Sequence, residues 1–281
     1  MPYREPMSSQ CLAAHKRRLR KCVGSVCVTE ALSATGLTSV RRLEAVLRGG
    51  TPPIDATGKP MWSGLCKHWR NGTALPSDAM CKRAHEATAG RARLTYWRDH
   101  ALWSLLVEPN HLDARHIVDM LWQLPAPVRH VLFLNLSRSR PILAEISDER
   151  LRDLRRSRSL DALVALLGLA RIADQMCHDE RHAVLTSSAF SILAPVVHES
   201  PQLQPLSEPI FQLVCTSFWS HWYLGGVRQD LTYETFRRHL DALASNPNAE
   251  CDSSIGYLRV EGYEDERDVF ALGAVIGWDM R

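Results

Sequence analysis

Apolar residues recur with helical spacing, at i, i+3 and i+4, along most of this chain, and Gly, Pro, Ser and Thr interrupt the pattern at intervals. The pattern predicts a mainly α-helical protein. Before residue 95 we expect one helix that starts near Glu30, after Thr29 as its N-cap, and that Gly36 interrupts. Three further helices are expected over 38–47, 62–70 and 78–88.

The second part of the chain continues the same pattern with longer apolar stretches. The predicted helices there cover 111–124, 147–156, 159–180, 182–198, 210–224 and 232–244. The apolar run 131–136 fits either a buried strand or a helix segment, because a run this short has no decisive period. Three prolines within 201–209 indicate a linker, and 257–260 suggests a short strand or hairpin.

Charge divides the chain into two parts. Residues 1–100 contain 17 Lys and Arg against 7 Asp and Glu, whereas residues 101–281 contain 17 against 24. We therefore expect a small basic N-terminal helical domain and a larger α-helical C-terminal domain. The predicted boundaries are a basic flexible leader over 1–22, a basic helical domain over 23–95, and an acidic domain for interaction or dimerisation over 96–281. A separate basic domain is typical of proteins that bind a polyanion such as nucleic acid.

One segment of the basic domain carries a family resemblance. Trp69-Arg70-Asn71-Gly72-Thr73-Ala74-Leu75-Pro76 has the spacing W-x-x-G-x-x-x-P, and a helix of suitable apolar spacing follows it. This segment resembles the end of the helix-turn-helix in Cro/Xre-like repressors, and the resemblance extends over about residues 62–90. It implies a DNA-binding unit of bacterial type whose preceding helix faces the major groove.

The resemblance also implies which side chains lie near DNA. Carried over by position, the DNA-binding residues are Ser63, Lys67, His68, Arg70 and Asn71. Lys and Arg suit phosphates or guanine edges, and an Asn-Gly turn brings backbone amides close to the sugar-phosphate chain. The long loop 49–60 stands where the family has a short turn. A second frame, Ala31-x4-Gly36-x-Thr38, loosely resembles another helix-turn-helix start.

The eight cysteines are scattered through the chain without a compact pattern, which favours buried free thiols over disulfides. The alternative is a structural zinc site, because Cys22, Cys27, Cys66 and His68 have donor atoms that zinc accepts.

No convincing catalytic motif is present, and we expect a protein that is not an enzyme and needs no cofactor. The phosphate-binding loop, the dinucleotide-binding glycine motif and the nucleophile elbow are missing from the sequence. The weak alternative is a metal hydrolase, because His178 and His182 are four residues apart and would share one helix face. The acidic run 261–268 is expected to be a solvated turn.

The N-terminus lacks an apolar signal region, and no apolar stretch is long enough to cross a bilayer. We therefore expect a cytoplasmic protein without a membrane partner. The predicted function is that of a DNA-binding regulator whose C-terminal region binds a protein or self-associates. The alternative is a helical scaffold protein without nucleic-acid affinity, which would bind partners through the aromatic clusters near 95–106 and 218–223.

Overall fold

A computed structural model of the chain describes residues 8–50, 54–107, 112–134, 142–219, 223–224, 227–228 and 232–246. The chain forms two compact units, Met1–Val107 with Ser200–Val214 (unit 1) and Glu108–Glu199 with Cys215–Arg281 (unit 2). It therefore passes from one unit to the other three times. These units differ from the predicted domains, because residues 96–107 and 200–214 belong to unit 1.

The prediction of a mainly α-helical fold is confirmed. The helices up to the first crossing are α1 (Ser9–Thr35), α2 (Val40–Arg48), α3 (Leu65–Arg70), α4 (Asp78–Ala87), α5 (Leu94–Arg98) and α6 (Ala101–Val107). The later helices are α7 (Ala114–Trp122), α8 (Ala126–Leu132), α9 (Asp148–Ser157), α10 (Leu160–Gln175), α11 (Asp179–Glu199), α12 (Ser207–Val214) and α13 (Tyr233–Ser245). The short elements are a 3₁₀ turn (Gln204–Leu206), a π-helical turn (Cys215–Trp219) and the antiparallel strands β1 (Tyr223–Leu224) and β2 (Val227–Arg228).

Helix α1 is the centre of unit 1, since α2, α3, α5, α6 and α12 all contact it. Most of its residues from Cys22 to Ala31 are buried, with Val26, Cys27 and Val28 fully inaccessible to solvent. A helix that is apolar on every side is typical of the middle of a helical core. The other elements of unit 1 are therefore arranged around α1.

The flexible leader expected over 1–22 is not what the structure shows from residue 8 onward. Helix α1 begins at Ser9, and the Ser8 side chain caps it by accepting a hydrogen bond from the backbone N–H of Cys11 at 3.3 Å. Leu19 and Cys22 are buried. Because these two apolar residues pack into the core, the basic run 16–21 is part of helix α1. Its charged side chains therefore start from defined positions on that helix.

Helix α10 is the central helix of unit 2, and it contacts α7, α8, α9 and α11. Every residue of α10 from Ala162 to Ala173 is buried. Gly168 allows α7 to approach closely, because a Cβ there would lie 3.0 Å from a methyl group of Leu121. Close packing of this kind leaves little room for a side chain at residue 168.

Several predicted boundaries shift in the structure. The helix expected over 62–70 begins only at Leu65, and the run 131–136 starts as the end of α8. Phe133 then forms an isolated antiparallel bridge with Leu143, and residues 135–136 lie outside the described part. The helix expected over 210–224 is wrong at its end, because α12 gives way to the π-helical turn and then to β1.

The proline-containing segment predicted as a linker is instead an integral part of unit 1. Its helix α12 contacts α1, and Phe211 and Leu213 are buried. The Gln202 side-chain amide donates a hydrogen bond of 2.8 Å to the Glu30 carboxylate. Pro205 lies in the 3₁₀ turn and Pro209 within the first turn of α12, positions at which proline is tolerated. The predicted strand over 257–260 lies outside the described residues.

Candidate nucleic-acid interface

The basic run 16–21 is ordered on one helix, so its side chains have defined directions. Arg17, Arg20 and Lys21 are exposed. Because positions i, i+3, i+4 and i+7 of a helix share a face, these three residues lie on the same face of α1 as Gly24.

Two glycines allow α3 and the turn that follows it to lie directly on that face of α1. A Cβ at Gly24 would lie 1.9 Å from the carbonyl oxygen of Trp69, and a Cβ at Gly72 would lie 2.8 Å from the backbone nitrogen of Lys21. Gly72 also has a φ of +69°, a backbone conformation that residues with a Cβ rarely adopt. The end of α3 is therefore seated on α1 beside Arg20 and Lys21.

Helix α3 has a buried side and an exposed side. Trp69 is only 1% exposed and Cys66 is fully buried, so these two residues anchor the helix. Lys67 and Arg70 are exposed. Since the end of α3 contacts α1 next to Arg20 and Lys21, the exposed basic residues of the two helices are neighbours in unit 1. We call the combined set the basic face, which consists of Arg17, Arg20, Lys21, Lys67 and Arg70.

The residues that the repressor-like resemblance implies are mostly accessible. Those exposed on α3 or directly after it are Lys67, His68, Arg70 and Asn71. Ser63 precedes the helix and is half-buried, and its Oγ accepts a hydrogen bond from the backbone N–H of Leu65 at 3.3 Å. The His68 ring nitrogen Nδ1 lies 3.1 Å from Oγ1 of Thr73. Four of the five implied residues are thus exposed, whereas the Ser63 hydroxyl accepts a hydrogen bond from the nearby backbone.

The two glutamates of this region are turned inward. Glu44 is buried and accepts a hydrogen bond from the backbone N–H of Cys66 at 3.0 Å. Glu30 is buried and accepts hydrogen bonds from the Arg93 backbone N–H at 2.9 Å and from Gln202. Carboxylates with these partners hold backbone segments in place and are screened from a ligand at the surface.

Burial of the acids leaves a strongly positive surface. Residues 8–50 and 54–77 contain eleven Lys and Arg but three Asp and Glu. All eleven basic residues are exposed, whereas two of the acids are buried and the third, Asp55, is half-buried. Charge separated in this way creates a positive potential that attracts polyanions. The basic face lies within this region.

The loop after α3 is held by an arginine. The Arg98 guanidinium donates a hydrogen bond to the carbonyl oxygen of Pro76 at 2.9 Å and forms ion pairs with Asp78 at 2.7 Å and Asp99 at 2.6 Å. These contacts tie the loop and the start of α4 to α5. The turn that carries Asn71 is therefore fixed at both ends, by α1 before it and by α5 after it.

Part of the basic face was missing from the sequence-based site. The sequence-based prediction places Arg17, Arg20 and Lys21 in a flexible leader, although the sequence contains a signal for a helix. Leu19, Cys22 and Val23 occupy positions i, i+3 and i+4, which is the spacing of an apolar helix face. The basic run 16–21 surrounds Leu19, so the apolar spacing is easily overlooked in the sequence.

Three of the tryptophans near the basic residues belong to the core. Trp97 and Trp103 are buried like Trp69, and the Trp103 ring N–H donates a hydrogen bond to the Trp97 carbonyl oxygen at 2.6 Å. Phe218, at the start of the second aromatic cluster, is also buried, and 220–222 lie outside the described residues. These described aromatic rings are therefore not available for stacking on bases or for docking a partner.

No metal centre is found in the part of the chain that the structure describes, since no three or more His, Cys, Asp or Glu side chains are grouped to hold an ion there. Cys66 is buried while His68 is exposed, so the two point to opposite sides of α3. His178 precedes α11 and His182 lies in its first turn. The acidic run 261–268 lies outside the described residues.

We expect the buried thiols to resist alkylation at pH 8. Burial raises the pKa of Cys22, Cys27 and Cys66 to about 12, so little of the reactive thiolate forms. Cys11 and Cys177 are exposed and should react rapidly. Peptide mapping by mass spectrometry after iodoacetamide treatment would measure this. Labelling of Cys27 as fast as Cys11 in the native protein would contradict the packing described above.

Comparison of the chain with protein-family models, with curated proteins and with solved structures finds no match. Within the described residues, no single helix has the length and hydropathy of a membrane span; α1 and α2, which are bent by 82°, reach both only when counted as a pair.

Proposed function

We propose that this protein is a DNA-binding regulator of bacterial type that works in the cytoplasm. Unit 1 binds duplex DNA through the basic face, and unit 2 binds a protein partner or a second copy of the chain. One observation carries the proposal: the turn after α3 is seated on α1 beside Arg20 and Lys21. The basic run of α1 and the side chains that the repressor-like resemblance implies therefore belong to one surface.

The charge of that surface supports a nucleic acid as its ligand. Residues 8–29 and 61–77 contain no Asp or Glu, so the exposed basic side chains of both segments lack acidic neighbours in sequence. Lys and Arg on such a surface neutralise phosphates and release the counterions that surround DNA. This release is the main source of affinity in binding that does not depend on sequence.

The short length of α3 limits how much base sequence it can read. Its six residues span roughly 9 Å, less than two helical turns. Phosphate contacts position a protein on DNA, whereas base-edge contacts from a helix in the major groove specify sequence. We therefore propose that phosphate contacts supply most of the affinity and that a second unit 1, brought by self-association, adds selectivity.

Replacing Lys67 and Arg70 with alanine is expected to weaken DNA binding and reduce its salt dependence. Each phosphate contact contributes about 0.9 to the slope of log K against log salt, so the slope should become shallower by about two. Fluorescence anisotropy with a labelled random-sequence duplex measures both quantities.

The matched control replaces Arg237 and Arg238 on α13, two exposed arginines that form ion pairs with Asp241 and Glu234. This variant removes the same amount of positive charge from unit 2 and should keep the wild-type slope. Equal slopes for the Lys67/Arg70 variant and the wild type would contradict the proposed role of α3. Absence of DNA binding by the wild type at low salt would favour the scaffold alternative.

A further inference from the structure

A small closed ribbon precedes α3. Ile54 and Pro60 form an isolated antiparallel bridge, and the backbone N–H of Asp55 donates a hydrogen bond to the carbonyl oxygen of Lys59 at 2.8 Å. Oδ1 of Asp55 accepts three more hydrogen bonds, from the N–H and hydroxyl of Thr57 and from the N–H of Lys59, at 2.7–2.9 Å. The ribbon is therefore held by its own hydrogen bonds and does not depend on a buried apolar side.

Two large apolar side chains at this ribbon are exposed to water. Ile54 is 69% exposed and Met61 is 52% exposed, more than any other large apolar residue described in unit 1. Apolar residues scattered singly on a surface are common, but here two flank one rigid turn. The hydrogen bonds of the ribbon hold its shape while Ile54 and Met61 stay exposed. Within the described residues, packing in the core therefore does not account for these two side chains.

The ribbon is continuous with the candidate interface. Only Trp62, Ser63 and Gly64 separate Met61 from the start of α3, and the exposed Lys59 lies within the turn itself. The one acidic residue of the ribbon, Asp55, uses its Oδ1 atom to accept the hydrogen bonds of the turn. The exposed apolar side chains are thus bordered by positive charge.

The charge around the ribbon decides which ligand fits it. A second copy docked symmetrically on this ribbon would bring two strongly basic surfaces together, and the repulsion of like charges opposes that arrangement. A polyanion meets the same surface with complementary charge. DNA also offers apolar surface to a protein, on sugars and on the faces of partly unstacked bases.

We propose that the ribbon, with the exposed Ile54 and Met61 side chains on its two arms, is an apolar wedge that enters the minor groove of the duplex held by the basic face and bends it. The inference rests on the proposed function, because the wedge acts only on DNA that the protein binds. Ile and Met are among the side chains that minor-groove proteins insert between base steps. The bend allows the duplex to follow more of the protein surface, so the wedge adds affinity without adding a phosphate contact.

The experiment compares the full-length wild type with the variant Ile54→Ser/Met61→Ser, whose changed side chains are exposed and contribute little to folding. The control is Leu134→Ser/Val184→Ser, which alters two exposed apolar residues of unit 2. Anisotropy with a random-sequence duplex gives affinity and salt slope, and energy transfer between dyes at the two duplex ends gives the bend.

The wedge predicts that wild type and control bend the duplex, and that the ribbon variant binds about tenfold more weakly with loss of the bend. The salt slope should stay unchanged, because no phosphate contact is removed. A ribbon variant with wild-type affinity and bend overturns the wedge but leaves the proposed function intact. Absence of DNA binding by the wild type overturns both.

Two further outcomes would assign the ribbon to another ligand. Vesicles of phosphatidylserine and phosphatidylcholine that bind the wild type but not the ribbon variant, with DNA binding equal in both, overturn the wedge in favour of a membrane surface. A dimer that the ribbon variant alone dissociates, measured by sedimentation with DNA binding unchanged, overturns it in favour of a second copy.

Discussion

Replacing Gly24 with alanine is expected to destabilise the protein by about 3 kcal/mol, the upper part of the range for overpacked sites. Helix propensity alone predicts the opposite sign, because alanine inside a helix is favoured over glycine by about 0.5–1 kcal/mol. The added Cβ would lie 1.9 Å from the carbonyl oxygen of Trp69, a backbone atom that cannot rotate away. Helices α1 and α3 must therefore separate, and the steric effect dominates.

Urea unfolding of the full-length protein measures this change, with Gly50→Ala as the control. A Cβ at Gly50 meets open space and Gly50 has no positive φ, so that variant should unfold close to the wild-type midpoint. Gly24→Ala should also weaken DNA binding, since it displaces the end of α3 from Arg20 and Lys21. A variant at residue 24 as stable as the wild type would show that α3 is not seated on α1 as described.

A fragment that ends at residue 107 is expected to lose cooperative folding. Unit 1 also requires 200–214, whose buried side chains Ile210, Phe211, Leu213 and Val214 would all be missing. Truncation of a single buried Phe to Ala costs about 3–5 kcal/mol, and whole domains are stable by only about 5–15 kcal/mol. Loss of the entire segment should exceed that margin.

The test compares fragment 1–107 with a chain in which a flexible Gly/Ser linker joins residue 107 to residue 200 and which ends at residue 214. Near-ultraviolet circular dichroism and urea unfolding should show a cooperative transition for the linked chain but not for the fragment. The two should also differ in tryptophan fluorescence. If the fragment unfolds cooperatively at the same midpoint as the linked chain, α12 is not part of the core of unit 1.

Elements with strong local signals were predictable from the sequence. The helix expected over 78–88 is found as α4, because Ser77 caps it and Asp78 suits its positive end. The helix expected over 147–156 is found as α9 for a similar reason, with Ser147 as its cap. In both cases the information that starts the helix lies within a few residues of its first turn.

Features that depend on distant contacts were not predictable. Glu30 and Glu44 look like ordinary surface acids in the sequence, and their burial follows from partners such as Gln202 that are far away in the chain. Local sequence patterns also cannot predict that residues 200–214 pack in unit 1. The positive character of the candidate interface is therefore stronger in the folded protein than the composition of the chain indicates.

A joint DNA-binding surface on α1 and α3 is best tested by the salt dependence of DNA binding. The measurement compares the full-length wild type with two paired variants, Arg20→Ala/Lys21→Ala on α1 and Lys67→Ala/Arg70→Ala on α3. We predict that the wild type binds a random-sequence duplex with a Kd on the order of 10⁻⁶ M at low salt, and that the salt slope becomes shallower by about two for each variant pair. No binding by the wild type at low salt, or a wild-type slope for the α1 pair, would contradict the claim that α1 and α3 form one DNA-binding surface.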